Sequence, residues 1–173
     1  MSKMPKFSPT ETIERKLDNE ISLLLKHSPN TDFSFSIKDK EGYSYEDFLS
    51  DKMLIIFAIR VGIPYSLFDL IQHYTPFSEN DWANFLNLST KSIQRYKLAS
   101  KNFKPLQSEK IIEMAEVTKV GLDVFGEMEK LKLWLNTPNF SLGKLKPIEL
   151  LTDSYGKEMV IGELTRINYG ILV

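Results

Sequence analysis

Residues 79–98 read ENDWANFLNLSTKSIQRYKL and hold the most informative pattern in the chain. Apolar residues recur there at helical spacing in two short runs, which predicts helices at about 79–86 and 89–100. A tight turn between them would make the pair a helix-turn-helix. Ala83 is small where the two helices would cross most closely. The inward positions are filled by apolar side chains: Trp82, Leu86, Leu88, Ile93 and Tyr96.

Polar residues at the ends of these two helices support the same interpretation. Ser78 and Asp81 have the spacing of a capping box, in which each side chain accepts a hydrogen bond from the other residue's backbone N–H. Ser89 is a suitable N-cap for the second helix. Asn87 occupies the turn, where a left-handed backbone is needed; glycine is usual there and asparagine is the next best tolerated. The sequence therefore predicts a mainly α-helical protein with a helix-turn-helix domain.

A local positive charge accompanies the second helix. From Ser89 to Lys104 there are five basic residues and no acidic ones, while the whole chain has a net charge of -1, so the remainder sums to -6. Glutamine can pair with adenine and arginine with guanine in the major groove, and lysines add salt-dependent phosphate contacts. Seven residues are predicted to face DNA: Ser89, Thr90, Lys91, Gln94, Arg95, Lys97 and Lys101. The alternative is a helical hairpin with a solvated basic face.

Composition excludes several classes of protein. The 173 residues include 22 basic and 23 acidic side chains, which excludes a histone-like or polyanionic protein. The absence of cysteine excludes disulfides, thiol catalysis and cysteine-ligated metal sites. No phosphate-binding glycine loop or hydrolase motif occurs, so we predict no enzyme, no cofactor and no metal site. The polar N-terminus and the short apolar run at 53–59 predict a cytoplasmic protein without a membrane span.

Three parts can be distinguished along the chain. Residues 1–50 are predicted as an N-terminal extension, residues 51–125 as the helix-turn-helix domain, and residues 126–173 as a small helical C-terminal module. Within the extension, an amphipathic helix is followed by a polar segment at 33–45, which reads either as a short β-hairpin or as a linker. Pro64 suits the first turn of a helix. Further helices are predicted at about 46–61, 108–125, 127–136, 147–151 and 157–169.

The C-terminal module contains several separated motifs in a fixed order. Residues 134–151 read WLNTPNFSLGKLKPIELL, and residues 160–170 read VIGELTRINYG. Trp134 has the spacing of a core residue, and Pro138 and Pro147 are helix stop and start signals. The chain then ends in Tyr-Gly-Ile-Leu-Val, an apolar terminus that must either pack on its own domain or insert into a partner.

With these motifs the chain resembles the antitoxins of RES–Xre type II toxin–antitoxin systems, also called the Xre/MbcA/ParS group. The resemblance covers about residues 51–173, and the helix-turn-helix precedes the C-terminal module in that family as it does here. The matching positions are Trp134-Leu135, Pro138-Asn139, Leu142, Pro147, Leu150-Leu151, Val160, Leu164, Arg166-Ile167 and Tyr169-Gly170. The structural motif positions that we expect within this pattern and the helix-turn-helix are Trp82, Ala83, Ile93, Trp134, Pro138 and Pro147.

The resemblance implies an antitoxin that neutralises an NAD-degrading toxin of the RES fold by occluding its NAD cleft. It also implies repression of the antitoxin's own promoter through the helix-turn-helix. Symmetric operators favour a homodimer within the toxin–antitoxin complex. The toxin-binding residues expected from it are Arg166, Tyr169, Gly170, Ile171, Leu172 and Val173. Without the resemblance, internal packing of this apolar end is the simpler interpretation, and a stand-alone helix-turn-helix transcriptional regulator is the alternative function.

Overall fold

The computed structural model describes residues 9–26 and 42–170. Within these ranges the regular structure is helical, with one isolated bridge between Pro64 and Asn102, which confirms the mainly α-helical prediction. A short 3-10 helix, Phe140–Leu142, lies between α8 and α9. The helices are α1 Pro9–Lys26, α2 Tyr45–Ser50, α3 Lys52–Val61, α4 Tyr65–Tyr74, α5 Glu79–Leu86, α6 Thr90–Ala99, α7 Pro105–Phe125, α8 Met128–Leu135, α9 Pro147–Leu150 and α10 Ser154–Asn168.

The single helix predicted at about 46–61 is wrong, because Asp51 divides it into α2 and α3. The backbone of Asp51 is extended, with φ -102° and ψ 104°. Its side chain accepts hydrogen bonds from the backbone N–H groups of Met53 and Leu54, at 2.9 and 3.3 Å. A short acidic side chain gains more from capping a new helix than from continuing an old one.

The second half of the predicted hairpin is also not formed. Residues 33–41 lie outside the described residues, and residues 42–44 are not in a strand. Ser44 instead caps α2: its hydroxyl accepts from the backbone N–H of Asp47 at 3.0 Å, and the Asp47 carboxylate accepts from the backbone N–H of Ser44 at 3.4 Å. Tyr45 is therefore the first residue of a helix.

Helix α1 belongs to the same core as the helix-turn-helix. Its side chains Leu17 and Ile21 are fully buried, and the helix packs against α4 and α2. The backbone N–H of Tyr45 donates to Asp18 at 2.6 Å, and the Tyr74 hydroxyl donates to Glu14 at 3.0 Å. Burial, together with this hydrogen bond to Glu14, raises the pKa of Tyr74 to about 12. The amphipathic helix predicted at the N-terminus is confirmed.

Helix α7 is the central element that joins the two ends of the chain. It packs against α3 on one side and against α10 on another. The Glu116 carboxylate accepts hydrogen bonds from Lys52 of α3 at 3.0 Å and from Lys157 of α10 at 2.6 Å. Burial raises the pKa of this carboxyl, but the hydrogen bonds and charges of Lys157 and Lys52 outweigh it, so the pKa lies below its usual value. Glu116 thus remains charged near neutral pH and links three helices.

Candidate functional site

The local geometry of α5 and α6 agrees with the helix-turn-helix prediction at each capping position. The Ser78 hydroxyl accepts from the backbone N–H of Asp81, whose carboxylate accepts from the backbone N–H of Ser78 at 2.8 Å. Asn87 adopts the left-handed conformation, with φ 50° and ψ 45°. The backbone N–H of Leu88 donates to Ala83 at 3.0 Å, which completes a Schellman turn. The Ser89 hydroxyl accepts from the backbone N–H of Ser92 at 3.1 Å.

An aromatic cluster fixes the position of this helix pair. Trp82 is fully buried and meets Phe68 edge-on, with ring centroids 5.1 Å apart. Tyr96 of α6 stacks on Phe103 at 4.4 Å, and the backbone N–H of Phe103 donates to Ile63 at 2.8 Å. The sequence indicated Trp82 and Tyr96, but not their partners, which come from α4 and from the segment after α6. Of the other two predicted motif positions in this region, Ile93 is buried and Ala83 is partly buried.

The seven predicted DNA-facing residues all lie exposed on the surface of α6 and its flanks. Among the described residues, no carboxylate forms an ion pair with Lys91, Arg95, Lys97 or Lys101. Ser89 differs from the other six predicted residues, because its hydroxyl already accepts a hydrogen bond that caps α6. The arrangement is a rigid helix that presents amide, hydroxyl and cationic groups to solvent, which is the chemistry that reads a major groove.

Two glycines allow close contacts between helices in the C-terminal part. Gly121 of α7 lies against Leu131 of α8, where an added Cβ would overlap the leucine side chain. Gly156 of α10 lies against the backbone of Leu150 in α9, where an added Cβ would overlap the carbonyl oxygen. These contacts bring α8 close to α7 and α9 close to α10.

The predicted motif positions of this region have different surroundings. Trp134 is partly buried, and its ring lies 5.8 Å from that of Phe125 at the end of α7. Pro147 is buried in the first turn of α9, in agreement with a start signal. Pro138 is exposed in the loop after α8. The two prolines and the tryptophan therefore lie near helix ends of the C-terminal module rather than in its buried centre.

Three of the six predicted toxin-binding residues, Arg166, Tyr169 and Gly170, lie in the last turn of α10 or directly after it. Val160 and Leu164 are fully buried against the rest of the molecule, which fixes the helix. Arg166 is partly exposed and lies 3.4 Å from Glu163. Tyr169 is 75% exposed, and Gly170 follows with φ 70°. Ile171, Leu172 and Val173 lie outside the described residues.

The C-terminal part carries more than half of the exposed large apolar side chains of the described residues. Of the eleven large apolar side chains that are exposed in the described ranges, six lie between residues 121 and 170. They are Leu133, Phe140, Leu145, Tyr155, Met159 and Tyr169. Exposed apolar side chains that form a contiguous patch are typical of a protein–protein contact surface, so this part is the candidate for one. Of these six residues, only Tyr169 was predicted from the sequence as part of the site. A single exposed apolar residue departs from the helical pattern of buried positions, but it does not by itself form a pattern that can be recognised.

Other kinds of site have less support. In the part of the chain that the structure describes, no three His, Asp or Glu side chains are grouped closely enough to hold a metal ion. No helix among the described residues combines the length and apolarity needed to cross a membrane.

Comparisons with known proteins also point to the C-terminal part of the chain as a binding domain. Residues 121–170 match the family described as antitoxin Xre/MbcA/ParS C-terminal toxin-binding domain. An antitoxin Xre of Photorhabdus laumondii is 26% identical over 112 residues, which cover 64% of this chain and 76% of that protein. An antitoxin Xre of Yersinia enterocolitica is 24% identical over 119 residues, which cover 68% of this chain and 80% of that protein.

A solved structure has the same fold over much of its length. A chain of the M. tuberculosis MbcT–MbcA toxin–antitoxin complex aligns with a TM-score of 0.52 and 19% sequence identity. The alignment covers 63% of this chain and 96% of that one. The chain is therefore similar to antitoxins of the Xre/MbcA/ParS type, and its residues 121–170 match the C-terminal toxin-binding domain of that family.

Proposed function

We propose that this antitoxin neutralises an NAD-degrading toxin of the RES fold by placing its C-terminal end in the toxin's NAD cleft. The chain acts by binding in the cytoplasm, and it does not itself catalyse a reaction. The residues that enter or border the cleft are Arg166, Tyr169, Gly170, Ile171, Leu172 and Val173.

The exposed end of α10 is the observation that carries this proposal. Val160 and Leu164 anchor the helix on α7, while Tyr169 lies almost free of the rest of the molecule. The next residues in the sequence are aliphatic, and burial of each such side chain supplies about 1.5–3 kcal/mol before the cost of ordering it. Arg166 adds a cationic group one helical turn before the end, where it can meet an anionic or polar group in a nucleotide-binding cleft.

Co-expression with the protein encoded beside this chain tests the proposal. We expect that neighbour to have the RES fold, to co-purify with the antitoxin and to lose its NAD-consuming activity in the complex. NAD consumption would be measured for the toxin alone, with this chain, and with an unrelated helical protein at the same concentration. Full NAD consumption in the presence of excess antitoxin would refute the proposed function.

We also propose that α6 binds the operator of the antitoxin's own operon, as a homodimer on a symmetric site. The support is the exposure of the predicted contact residues and the absence of intrachain partners for the four cations among the described residues. The competing function, a stand-alone transcriptional regulator, uses the same surface but needs no toxin. Repression by the free antitoxin and by the complex would distinguish the two.

Replacing Lys91 and Arg95 together by alanine should weaken operator binding by about 100-fold or more. The estimate assumes about 1–3 kcal/mol for the base contact of Arg95 and one phosphate contact for Lys91. The salt dependence of binding should also become shallower by about one phosphate contact for each protomer of the dimer. Fluorescence anisotropy at several salt concentrations would measure both quantities. Lys130→Ala is the control, since Lys130 is paired with Glu127 on α8; equal loss in that variant would contradict the assignment of α6.

A further inference from the structure

The outward side of α10 forms a strip that the rest of the molecule does not cover. Its residues follow one another at spacings of four, three, four and three, so they share one face of the helix. The opposite side holds Gly156, Val160 and Leu164, which are buried. The contact strip, as we call this outward face, consists of Tyr155, Met159, Gly162, Arg166 and Tyr169.

Gly162 is the unexplained residue in the contact strip. Glycine within a helix is unfavourable because it loses more backbone freedom than other residues on folding. The backbone of Gly162 does not have a positive φ, so its conformation does not require glycine. A Cβ added there would meet no atom within 4 Å, so packing within the chain does not require glycine either. The fold therefore gives no reason for glycine at this position.

What Gly162 does create is a notch in the middle of a strip of large side chains. Met159 lies before it and Arg166 after it on the same face, and both carry long flexible side chains. The absence of a side chain at position 162 exposes helix backbone to any molecule that covers the strip. A glycine in such a place allows a second surface to approach the backbone closely.

The composition of the contact strip indicates a protein partner. Tyrosine, methionine and arginine are enriched at the centres of protein interfaces, and the four large side chains of the strip are all of these types. The ion pair between Arg166 and Glu163 is long, at 3.4 Å, and the side chain of Arg166 is 41% exposed. Arg166 therefore retains N–H donors for another group. The strip also lies within the residues that match the toxin-binding domain family.

We infer that the contact strip holds the toxin independently of the C-terminal end. A bulky apolar side chain of the toxin occupies the notch at Gly162, Tyr155 and Met159 cover apolar toxin surface beside it, and Arg166 faces an acidic or carbonyl group. This inference rests on the proposed function and adds a division of labour. The strip supplies affinity that remains when the last residues are absent, whereas the last residues occlude the cleft and add their own share of the binding energy.

Gly162→Leu tests the inference because it fills the notch without disturbing the antitoxin. The variant should bind the RES-fold toxin at least about 10-fold more weakly, while its Tm stays the same or rises by roughly 1–4 °C. Gly162→Ala should produce the same signs with smaller size. NAD consumption should be suppressed again when enough variant is added to saturate the toxin, since the C-terminal end is intact. Affinity would be measured by calorimetry with purified toxin, and Tm on the free antitoxin.

Glu109→Leu is the control, because Glu109 is exposed on α7, outside the contact strip and outside residues 121–170. It introduces the same leucine side chain and should change toxin affinity less than twofold. Unchanged toxin affinity in Gly162→Leu would overturn the inference and leave the proposed function intact. A lower Tm would overturn it as well, because the position would then be structurally occupied. A change confined to self-association of the free chain would assign the strip to a second copy instead, and failure of the unmodified antitoxin to bind the toxin would remove both proposals.

Discussion

A variant that ends at Asn168 should fail to protect NAD at antitoxin concentrations that silence the toxin with the full-length chain. Removal of residues 169–173 takes away one exposed aromatic and three aliphatic side chains that have been assigned to the toxin cleft. If only half of their burial energy survives the cost of ordering, the loss is about 3–4 kcal/mol, which is a factor of several hundred in the concentration needed for inhibition.

The truncation is not expected to unfold the rest of the chain. Leu164 is the last fully buried residue of the described chain, so removal of everything after Asn168 should leave the Tm of the free antitoxin unchanged. NAD consumption would be followed in a titration of toxin with each form, together with thermal unfolding. The contact strip predicts a further distinction: the truncated chain keeps four of the five strip residues and should still bind the toxin, more weakly, while failing to inhibit it. Full neutralisation by the truncated form would show that the cleft is not blocked by this segment.

The largest effect on the fold should come from Gly156, on the same helix as Gly162. Replacement by alanine places a Cβ onto the backbone oxygen of Leu150, and a backbone atom cannot turn aside as a side chain can. We expect Gly156→Ala to lower the free energy of unfolding by about 2–4 kcal/mol, by displacing α9 from α10. Toxin binding should be lost with it.

Gly162→Ala provides the opposite sign within one helix. Both substitutions add the same methyl group to the same kind of helical backbone, and both gain about 0.5–1 kcal/mol of helix propensity. Only Gly156 has a neighbour in the way. Urea denaturation of the two variants beside the parent chain would measure the difference. Equal stabilisation of both variants would mean that α9 and α10 are not in close contact in solution.

The helix-turn-helix could be predicted from sequence because its signals are local. Ser78, Asn87 and Ser89 each act on backbone groups within three or four residues, and the spacing of those partners is visible in the sequence. The break at Asp51 was missed for a related reason. Apolar residues continue at helical spacing across it, and a capping aspartate cannot be told from an exposed one inside a helix until the backbone direction is known.

Features that depend on packing between distant segments could not be predicted in the same way. Phe103 stacks on Tyr96 only because the chain after α6 pairs with the segment before α4. Gly156 needs to be glycine only because α9 ends beside it. At the candidate site, the sequence pattern correctly separated the buried face of α10 from its end, but the contact strip became visible only when the exposure of Gly162 was known.

Helix α7, about 30 Å long, also couples the local opening of the two binding regions. Separation of α3 or of α10 from it would expose buried apolar surface of α7, so opening either end should cost a large part of the free energy of global unfolding. A ligand that binds only the native chain makes that shared opening rarer. Bound operator DNA would then protect the toxin-binding region from proteases that attack opened chains, and bound toxin would protect the DNA-binding region. This protection needs no conformational change transmitted between the two regions.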